Sequence, residues 1–393
     1  MALAPLFGFS LLVHALLAWI LVPDLAPYSV PLAWAFGLWT LVSAGLMPMG
    51  MVALRFARPP MAQVLTWSGL LCMGLFSSLL VLALLRILLL PALGALHGIW
   101  PLDLQALRTA SALLVAPLAL LMTALGFWNA RRTPSVVRVD VPVANLPDAL
   151  VGFSMAQISD IHVGPTIRQP YLERIVARVN RLDADLVAIT GDLVDGPVRT
   201  LGSLVQPLQD LRSRYGSYFV TGNHEYYSGA QEWVAHLRSL GIQVLMNEHV
   251  LLQHSPANQP DQTATLVLAG VSDYSAHHFD SSQQSDPVKA LAGAPAQAAF
   301  KVLLAHQPRS AAAADKAGFD LQLSGHTHGG QFWPWGYFVR LQQPFTAGLH
   351  RLNRLWVYTS RGTGYWGPPK RFGAPSEITY LRLVRAGQAR TAT

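Results

Sequence analysis

The sequence predicts an α/β layered domain preceded by an all-α membrane region of about four helices. Three observations carry this expectation. The chain of 393 residues is 52% hydrophobic and only 12% charged, roughly half the charge of an ordinary soluble chain. The charge is also uneven: Met1 to Thr133 holds six Arg, no Lys and only Asp24 and Asp103 as acids, against 22 basic and 19 acidic residues in the remainder. From Pro134 onward, short apolar runs alternate with segments of helical spacing, the order of a layered α/β fold. The domain boundary is therefore placed between a transmembrane helical region, 1–133, and a second domain, 134–393.

Four apolar stretches are long enough to cross a bilayer, which takes roughly 20 helical residues. They are Leu6–Val22, Pro31–Leu54, Val64–Leu84 (extending toward Leu93) and Ala110–Ala130. The first is the shortest, and it lacks the basic n-region and small-residue cleavage site of a signal peptide. His14 within it reads as a bundle-facing or interfacial histidine. Arg55 and Arg58 lie between spans two and three, and Arg131, Arg132 and Arg138 follow span four. Only Arg86 and Arg108 flank the loop between spans three and four. That excess puts the second domain on the cytoplasmic side. The single cysteine, Cys72, lies in an apolar run, so no disulfide framework exists within the chain. The net charge of +7 comes without a basic stripe or a base-stacking aromatic platform, so no nucleic-acid partner is expected.

In the second domain, Val136–Val141, Phe153–Ile158, Leu186–Thr190, Tyr218–Thr221, Thr265–Gly270, Lys301–Ala305, Leu321–Ser324, Trp356–Thr359 and Glu377–Leu383 read as strands. Tyr171–Leu182 has Leu172, Ile175, Val176 and Val179 on one helical face. Gln231–Leu240 reads as a helix closed by Gly241. Ser255–Thr263 and Ala292–Ala299 read as loops.

Five short segments sit just past the ends of these strands: Ser159-Asp160-Ile161-His162, Gly191-Asp192, Gly222-Asn223-His224-Glu225, His306, and Gly325-His326-Thr327-His328. Strand ends are where ligands gather in α/β sheets. With His224 set aside, the segments supply Asp160, His162, Asp192, Asn223, His306, His326 and His328, a donor set for two divalent ions sharing one carboxylate. Such a pair clamps a phosphoryl group and generates the hydroxide that attacks it. Carboxylate, imidazole and amide oxygen together suit Mn first, with Fe, Zn or Co as alternatives, over a thiolate-seeking metal. Asp192 is the natural bridge. Asp160 and His162, two apart, would point the same way in extended backbone, and His326 and His328 repeat the spacing. Gly191, Gly222 and Gly325 precede ligands where the chain must turn closely. His224, directly after the Asn ligand, is the candidate for protonating the leaving group.

In order and content, the series D-x-H, G-D, G-N-H-E, H and G-H-x-H resembles the calcineurin-like metallophosphoesterase superfamily over roughly Val151 to Leu383. The resemblance implies a four-layer α/β/β/α sandwich. It also implies that Asp160, His162, Asp192 and His328 hold one metal, that Asp192, Asn223, His306 and His326 hold the other, and that His224 is the catalytic histidine. Purple acid phosphatases carry a tyrosine three residues after the bridging Asp; Asp195 stands there in this chain, which argues against an Fe(III)–tyrosinate centre. Ser324-Gly325-His326-Thr327-His328-Gly329-Gly330-Gln331 resembles the bacterial membrane-associated phosphodiesterase branch, some members of which cleave the pyrophosphate of UDP-2,3-diacylglucosamine in lipid A synthesis. The implied protein is a multi-pass enzyme of the bacterial inner membrane that hydrolyses a phosphodiester or pyrophosphate, with a lipid-linked substrate fitting the spans. The alternative is a catalytically silent scaffold coupled to a membrane module; such relatives lose ligands, and none is missing here. A transporter or sensor reading of the spans lacks paired acids and broken-helix signals.

Asp195, Glu225 and Gln331 either orient a ligand or are ordinary polar loop residues. His236, His249, His254, His277, His278 and His350 have no place in the ligand order and read as surface or loop residues. Phe332-Trp333-Pro334-Trp335 and Tyr365-Trp366 either pack as core or offer amphipathic rings to a lipid interface or a stacked base. Arg340, Arg351, Arg361, Lys370 and Arg371 in the same region could meet phosphate oxygens.

Overall fold

The computed structural model describes residues 3–58, 60–95, 103–256 and 260–388; residues 257–259 of the expected Ser255–Thr263 loop lie outside them. The chain divides into two compact units, one of residues 1–131 with 367–372 and one of 132–366 with 373–393.

The first unit contains α1 (Leu3–Leu25), α2 (Val30–Phe56), α3 (Met61–Ala95) and α4 (Leu104–Arg131), all four long and apolar enough to cross a membrane. Each runs a few residues beyond its apolar stretch, since polar and proline residues at helix ends still fit the first or last turn. Gly50 and Gly69 allow α2 and α3 to touch: a Cβ on Gly50 would lie 2.7 Å from the Gly69 Cα, the close backbone approach that small residues permit between membrane helices. His14 is buried and faces the bundle. One ring nitrogen meets the Ser10 carbonyl at 2.8 Å and the other the Ser43 hydroxyl at 3.0 Å, while Phe76 stacks on the ring at 4.0 Å. Arg86 is also buried, paired with Asp24 and donating to Ser111 Oγ and the Arg108 carbonyl. An intramembrane cation is tolerated when neutralised in this way. The short segment 367–372 belongs to this unit too: Lys370 Nζ donates to the Gly74 carbonyl, Ser78 Oγ and Thr123 Oγ1.

The second unit is a sandwich of two six-stranded sheets. Its elements in chain order are β1 (Ser135–Val143), β2 (Ser154–Ile158), α5 (Gln169–Asn180), β3 (Leu186–Ile189), α6 (Val198–Leu201), β4 (Ser217–Phe219), α7 (Asn223–Ser228), α8 (Ala230–Ser239), β5 (Gln243–Val244), β6 (Glu248–His254), β7 (Ala264–Gly270), α9 (Pro287–Ala290), β8 (Phe300–Leu304), α10 (Ala311–Ala317), β9 (Leu321–Ser324), α11 (Gly336–Val339), β10 (Gly348–Leu352), β11 (Leu355–Thr359) and β12 (Glu377–Arg385). One sheet runs β1-β12-β2-β3-β4-β5 and the other β10-β11-β9-β8-β7-β6. Strands β2 to β5 are parallel in the first, and β7, β8, β9 and β11 in the second.

Period-two alternation of strand side chains builds the layers. On β8, Val302 and Leu304 enter the core between the sheets with Leu186 and Ala188 of β3. The intervening Leu303, with Ala305, faces the other way against Ala311 and Ala314 of α10. Helix α5 buries Leu172, Ile175, Val176 and Val179, the face its spacing predicts. The result is the α/β/β/α sandwich, with β2, β3, β4, β8 and β9 delivering their C-terminal ends to the motif segments.

Candidate metal centre

Six of the seven predicted donors, Asp160, His162, Asp192, His306, His326 and His328, converge, and the local backbone explains how. Asp160, His162, Asp192, His326 and His328 all have positive φ, between 51° and 69°. The expectation that Asp160 and His162 share a direction because the chain is extended is therefore wrong. The strand has ended, and left-handed turns aim the side chains instead. Asp and His are among the few non-glycine residues that enter this region readily, and such conformations concentrate at functional sites. The glycines act by proximity, as expected. A Cβ on Gly222 would lie 2.2 Å from Asp192 Oδ1, and one on Gly325 would lie 2.1 Å from Asp160 Oδ2.

The donors fall into adjoining groups. Asp160, His162 and His328 place one ligand atom each within 4.8 Å of one another, and so do Asp192, His306 and His326. His162 Nε2 is 3.1 Å from His328 Nε2, and His328 Nε2 is 3.5 Å from Asp160 Oδ1. Asp192 Oδ2 is 3.1 Å from His306 Nε2 and 3.9 Å from His162 Nε2, so one carboxylate reaches both groups. His306 Nε2 is 3.2 Å from His326 Nδ1.

Two observations test whether these residues suit metal ions. Asn223 Oδ1 is buried and accepts no hydrogen bond, a costly state for an amide oxygen unless another partner takes its lone pairs. The outer nitrogens of two histidines are also spoken for. His306 Nδ1 donates to the Thr190 carbonyl at 2.7 Å, and His162 Nδ1 meets Asp195 Oδ1 at 2.8 Å. Those bonds fix the tautomers so that both Nε2 lone pairs point inward, as metal-ligating histidines are typically oriented. The donor set fits a dinuclear site.

His224 also lies here, within the span of His162 and Asp192. Its backbone N–H donates to Asp192 Oδ1 at 2.9 Å, and its Nδ1 is 2.7 Å from Asp195 Oδ1. Asp195 thus serves two histidines with one oxygen. Burial alone would raise the Asp195 carboxyl, but His162 and then His224 hold it down at about 2. Burial alone would lower His224, but the Asp195 carboxylate, with Asp192 and Glu225 behind it, lifts it to about 9. Tyr227 and Trp366 pack edge-on to the His224 ring, with centroids 5.4 and 5.7 Å away.

Glu225 is, with Asp195 and Gln331, one of three residues whose role the sequence leaves undecided. Fully buried, it accepts from the backbone N–H of Asp192 at 3.0 Å, Leu193 at 2.8 Å and Gly222 at 2.7 Å. The last bond is the Glu-to-N-cap half of a capping box at the start of α7, whose other half Gly222 has no side chain to supply. One side chain thereby joins the loop carrying Asp192 to the turn carrying Asn223. Gln331 exchanges two hydrogen bonds with the Trp366 backbone, so it positions the mouth.

Other expectations are corrected. Lys370 and Arg371 are buried in the helical unit, and Arg361 is paired with Glu377 at 2.6 Å, so these three are committed to protein contacts. His254 is buried against Phe153 and Tyr215 instead of lying on the surface. Trp333, Trp335 and Trp366 are exposed, whereas Phe332 and Tyr365 pack inside.

A two-sheet sandwich of this layering gathers its Asp and His side chains beyond the strand ends. The chain belongs to the calcineurin-like phosphoesterase family, whose model matches residues 153–330. It is 41% identical over 279 residues to a "Transmembrane protein with metallophosphoesterase domain" of Danio rerio, covering 68% of this chain and 62% of that one. It is 42% identical over 287 residues to a protein of the same description in Bos taurus, covering 72% of this chain and 63% of that one. An uncharacterized metallophosphoesterase of Helicobacter pylori is 36% identical over 266 residues, covering 67% and 68%. The chain thus spans somewhat under two thirds of the length of the two vertebrate relatives.

Proposed function

We propose that this chain is a membrane-anchored, dinuclear metal hydrolase of phosphodiester or pyrophosphate bonds, acting on a lipid-linked substrate such as UDP-2,3-diacylglucosamine. The reading is supported by the convergence of Asp160, His162, Asp192, His306, His326 and His328, together with a buried Asn223 oxygen that accepts no hydrogen bond. In this reading Asp160, His162, Asp192 and His328 hold one ion; Asp192, Asn223, His306 and His326 hold the other; Mn is favoured by the donor chemistry. Bound there, the two ions supply Lewis-acid activation of the phosphoryl oxygen and of water. His224 supplies the proton: Asp195 occupies its Nδ1, leaving Nε2 to protonate the departing oxygen. Asp195 holds the ring in place and stabilises its charged form, while Glu225 fixes the two turns.

The domain faces the cytoplasm of a bacterial inner membrane in this reading. Arg86 is neutralised by Asp24, so the loop between α3 and α4 offers less free positive charge than its two arginines suggest, which strengthens the bias toward the opposite side.

The test measures metal by elemental analysis and hydrolysis of bis(4-nitrophenyl) phosphate on the same samples. His224→Ala should retain metal and lose about 100-fold or more in turnover. Asp192→Asn should lose both. Full turnover in the first variant, or undiminished metal in the second, sinks the assignment. A metal-loaded wild type without activity on any diester or pyrophosphate would favour the silent-scaffold alternative.

A further inference from the structure

Eleven large apolar side chains are exposed among the described residues of the sheet unit, and five of them fall between Trp333 and Leu341. Within that span Tyr337 is 75% exposed, Phe338 54% and Leu341 82%. Scattered surface apolars need no explanation, but a cluster of this kind does. The cluster is also ordered. Phe332 and Trp335 close a turn at 3.0 Å, Tyr337 donates to the Pro334 carbonyl at 3.1 Å and Phe338 to that of Trp335 at 2.9 Å. The backbone of the cluster is therefore fixed while its large side chains stay exposed.

The charge around it has one sign in sequence. From Leu321 to Ser376 there is no Asp or Glu, while Arg340, Arg351, Arg354, Arg361, Lys370 and Arg371 fall in that stretch. Of these, Arg340 is exposed beside the cluster, and Arg351 is exposed on β10. Trp and Tyr with Arg, free of acids, are the composition that settles at the headgroup level of a bilayer carrying anionic lipid. A membrane is within reach of this unit, because α4 ends at Arg131 and β1 begins at Ser135.

The cluster adjoins the metal centre. It grows from the turn that carries His328: a Cβ on Gly330 would lie 2.1 Å from the Gly336 backbone nitrogen. Through Gln331 the same turn holds Trp366, whose ring meets His224.

We propose that the Trp333–Leu341 surface seats on the headgroup layer of an anionic bilayer, so that a lipid phosphoester enters the metal centre past Trp366 without leaving the membrane surface. The occupant is the bilayer itself, chosen by the acid-free run of sequence that carries the cluster and by the apolar helices of the same chain. The delivery role rests on the phosphoesterase reading; the seating does not.

The test uses the full chain in vesicles of phosphatidylcholine with phosphatidylglycerol. In a Cys72→Ser background, Tyr337→Cys and Leu341→Cys each carry a spin label, with Gln209→Cys as an exposed control. Labels at 337 and 341 should collide readily with lipid-dissolved oxygen and poorly with a water-soluble nickel chelate, and the control should do the reverse. Water-like collisions at 337 and 341 overturn the seating. Protection from both reagents also overturns it, because protein, such as a second copy, would then cover the surface. Separately, the combined variant Trp335→Ser, Tyr337→Ser, Leu341→Ser should lower the ratio of kcat/KM on a vesicle-borne phosphodiester to that on soluble bis(4-nitrophenyl) phosphate by about tenfold. An unchanged ratio overturns the delivery role. Immersed labels on a protein that hydrolyses no phosphoester would leave the seating intact and remove the enzymatic reading instead.

Discussion

Replacing Glu225 by glutamine removes one oxygen and changes little else, and its effect can be worked out bond by bond. In the native site one carboxylate oxygen accepts from Leu193 N–H, while the other accepts from both Asp192 and Gly222 N–H. Glutamine has a single acceptor. If its oxygen takes the position facing Asp192 and Gly222, its NH2 confronts the Leu193 N–H, donor against donor. The reverse placement strands two donors. The least loss is therefore one buried N–H without a partner, about 1–3 kcal/mol, and Glu225→Ala, which strands all three, should cost about 3 kcal/mol or more. Because the lost bonds join the Asp192 and Asn223 loops, the penalty should also appear in metal affinity, weakened by about 10–100-fold. Denaturant titration in detergent reads the first quantity, and metal competition against a chromogenic chelator reads the second. If Glu225→Gln is as stable as the wild type and binds metal equally well, the carboxylate is not the clamp described above.

Asp195→Asn should weaken metal binding and turnover together, each by about tenfold or more, because one oxygen anchors both His162 and His224; a change in turnover alone would confine Asp195 to the His224 role. Gly325→Ala should abolish metal uptake measured by elemental analysis, since its methyl group would collide with Ser159 Oγ and Asp160 Oδ2, and normal uptake would show that the turn relaxes more freely than its packing implies.

Much of the fold could be read directly because its central strands are uniform. β3 and β9 are buried along their whole length, so each appears as a short apolar run ending at a motif. The strands not foreseen, β5, β6 and β10, all lie at sheet edges. An edge strand such as β6, Glu248–His254, keeps exposed polar residues, and its pattern fades into that of a loop. The candidate donors could be picked out as well, since residue type and order single them out, and six of them lie together in the structure. Their presentation could not: spacing suggested extended backbone at Asp160 and His162, and only the structure shows the left-handed turns. Nor could sequence show that Glu225 is consumed by backbone N–H groups, because two of its three partners come from a loop some thirty residues away. Lys370 and Arg371 misled for a related reason. Arginine and lysine near a phosphate site suggest anion contacts, but nothing local reveals that a few residues leave the sheet unit to join the helices.

The five donors at positive φ carry a consequence for mutagenesis. Alanine at any of these positions deletes a ligand and also pushes the main chain toward a region it disfavours, so two penalties arrive in one measurement. Exchanging Asp160 or Asp192 for asparagine leaves the main chain content and isolates the loss of the anionic oxygen. For His162, His326 and His328, asparagine is likewise the cleaner knock-out, and the difference between the asparagine and alanine variants at one site measures how much of the apparent ligand energy belongs to the backbone alone.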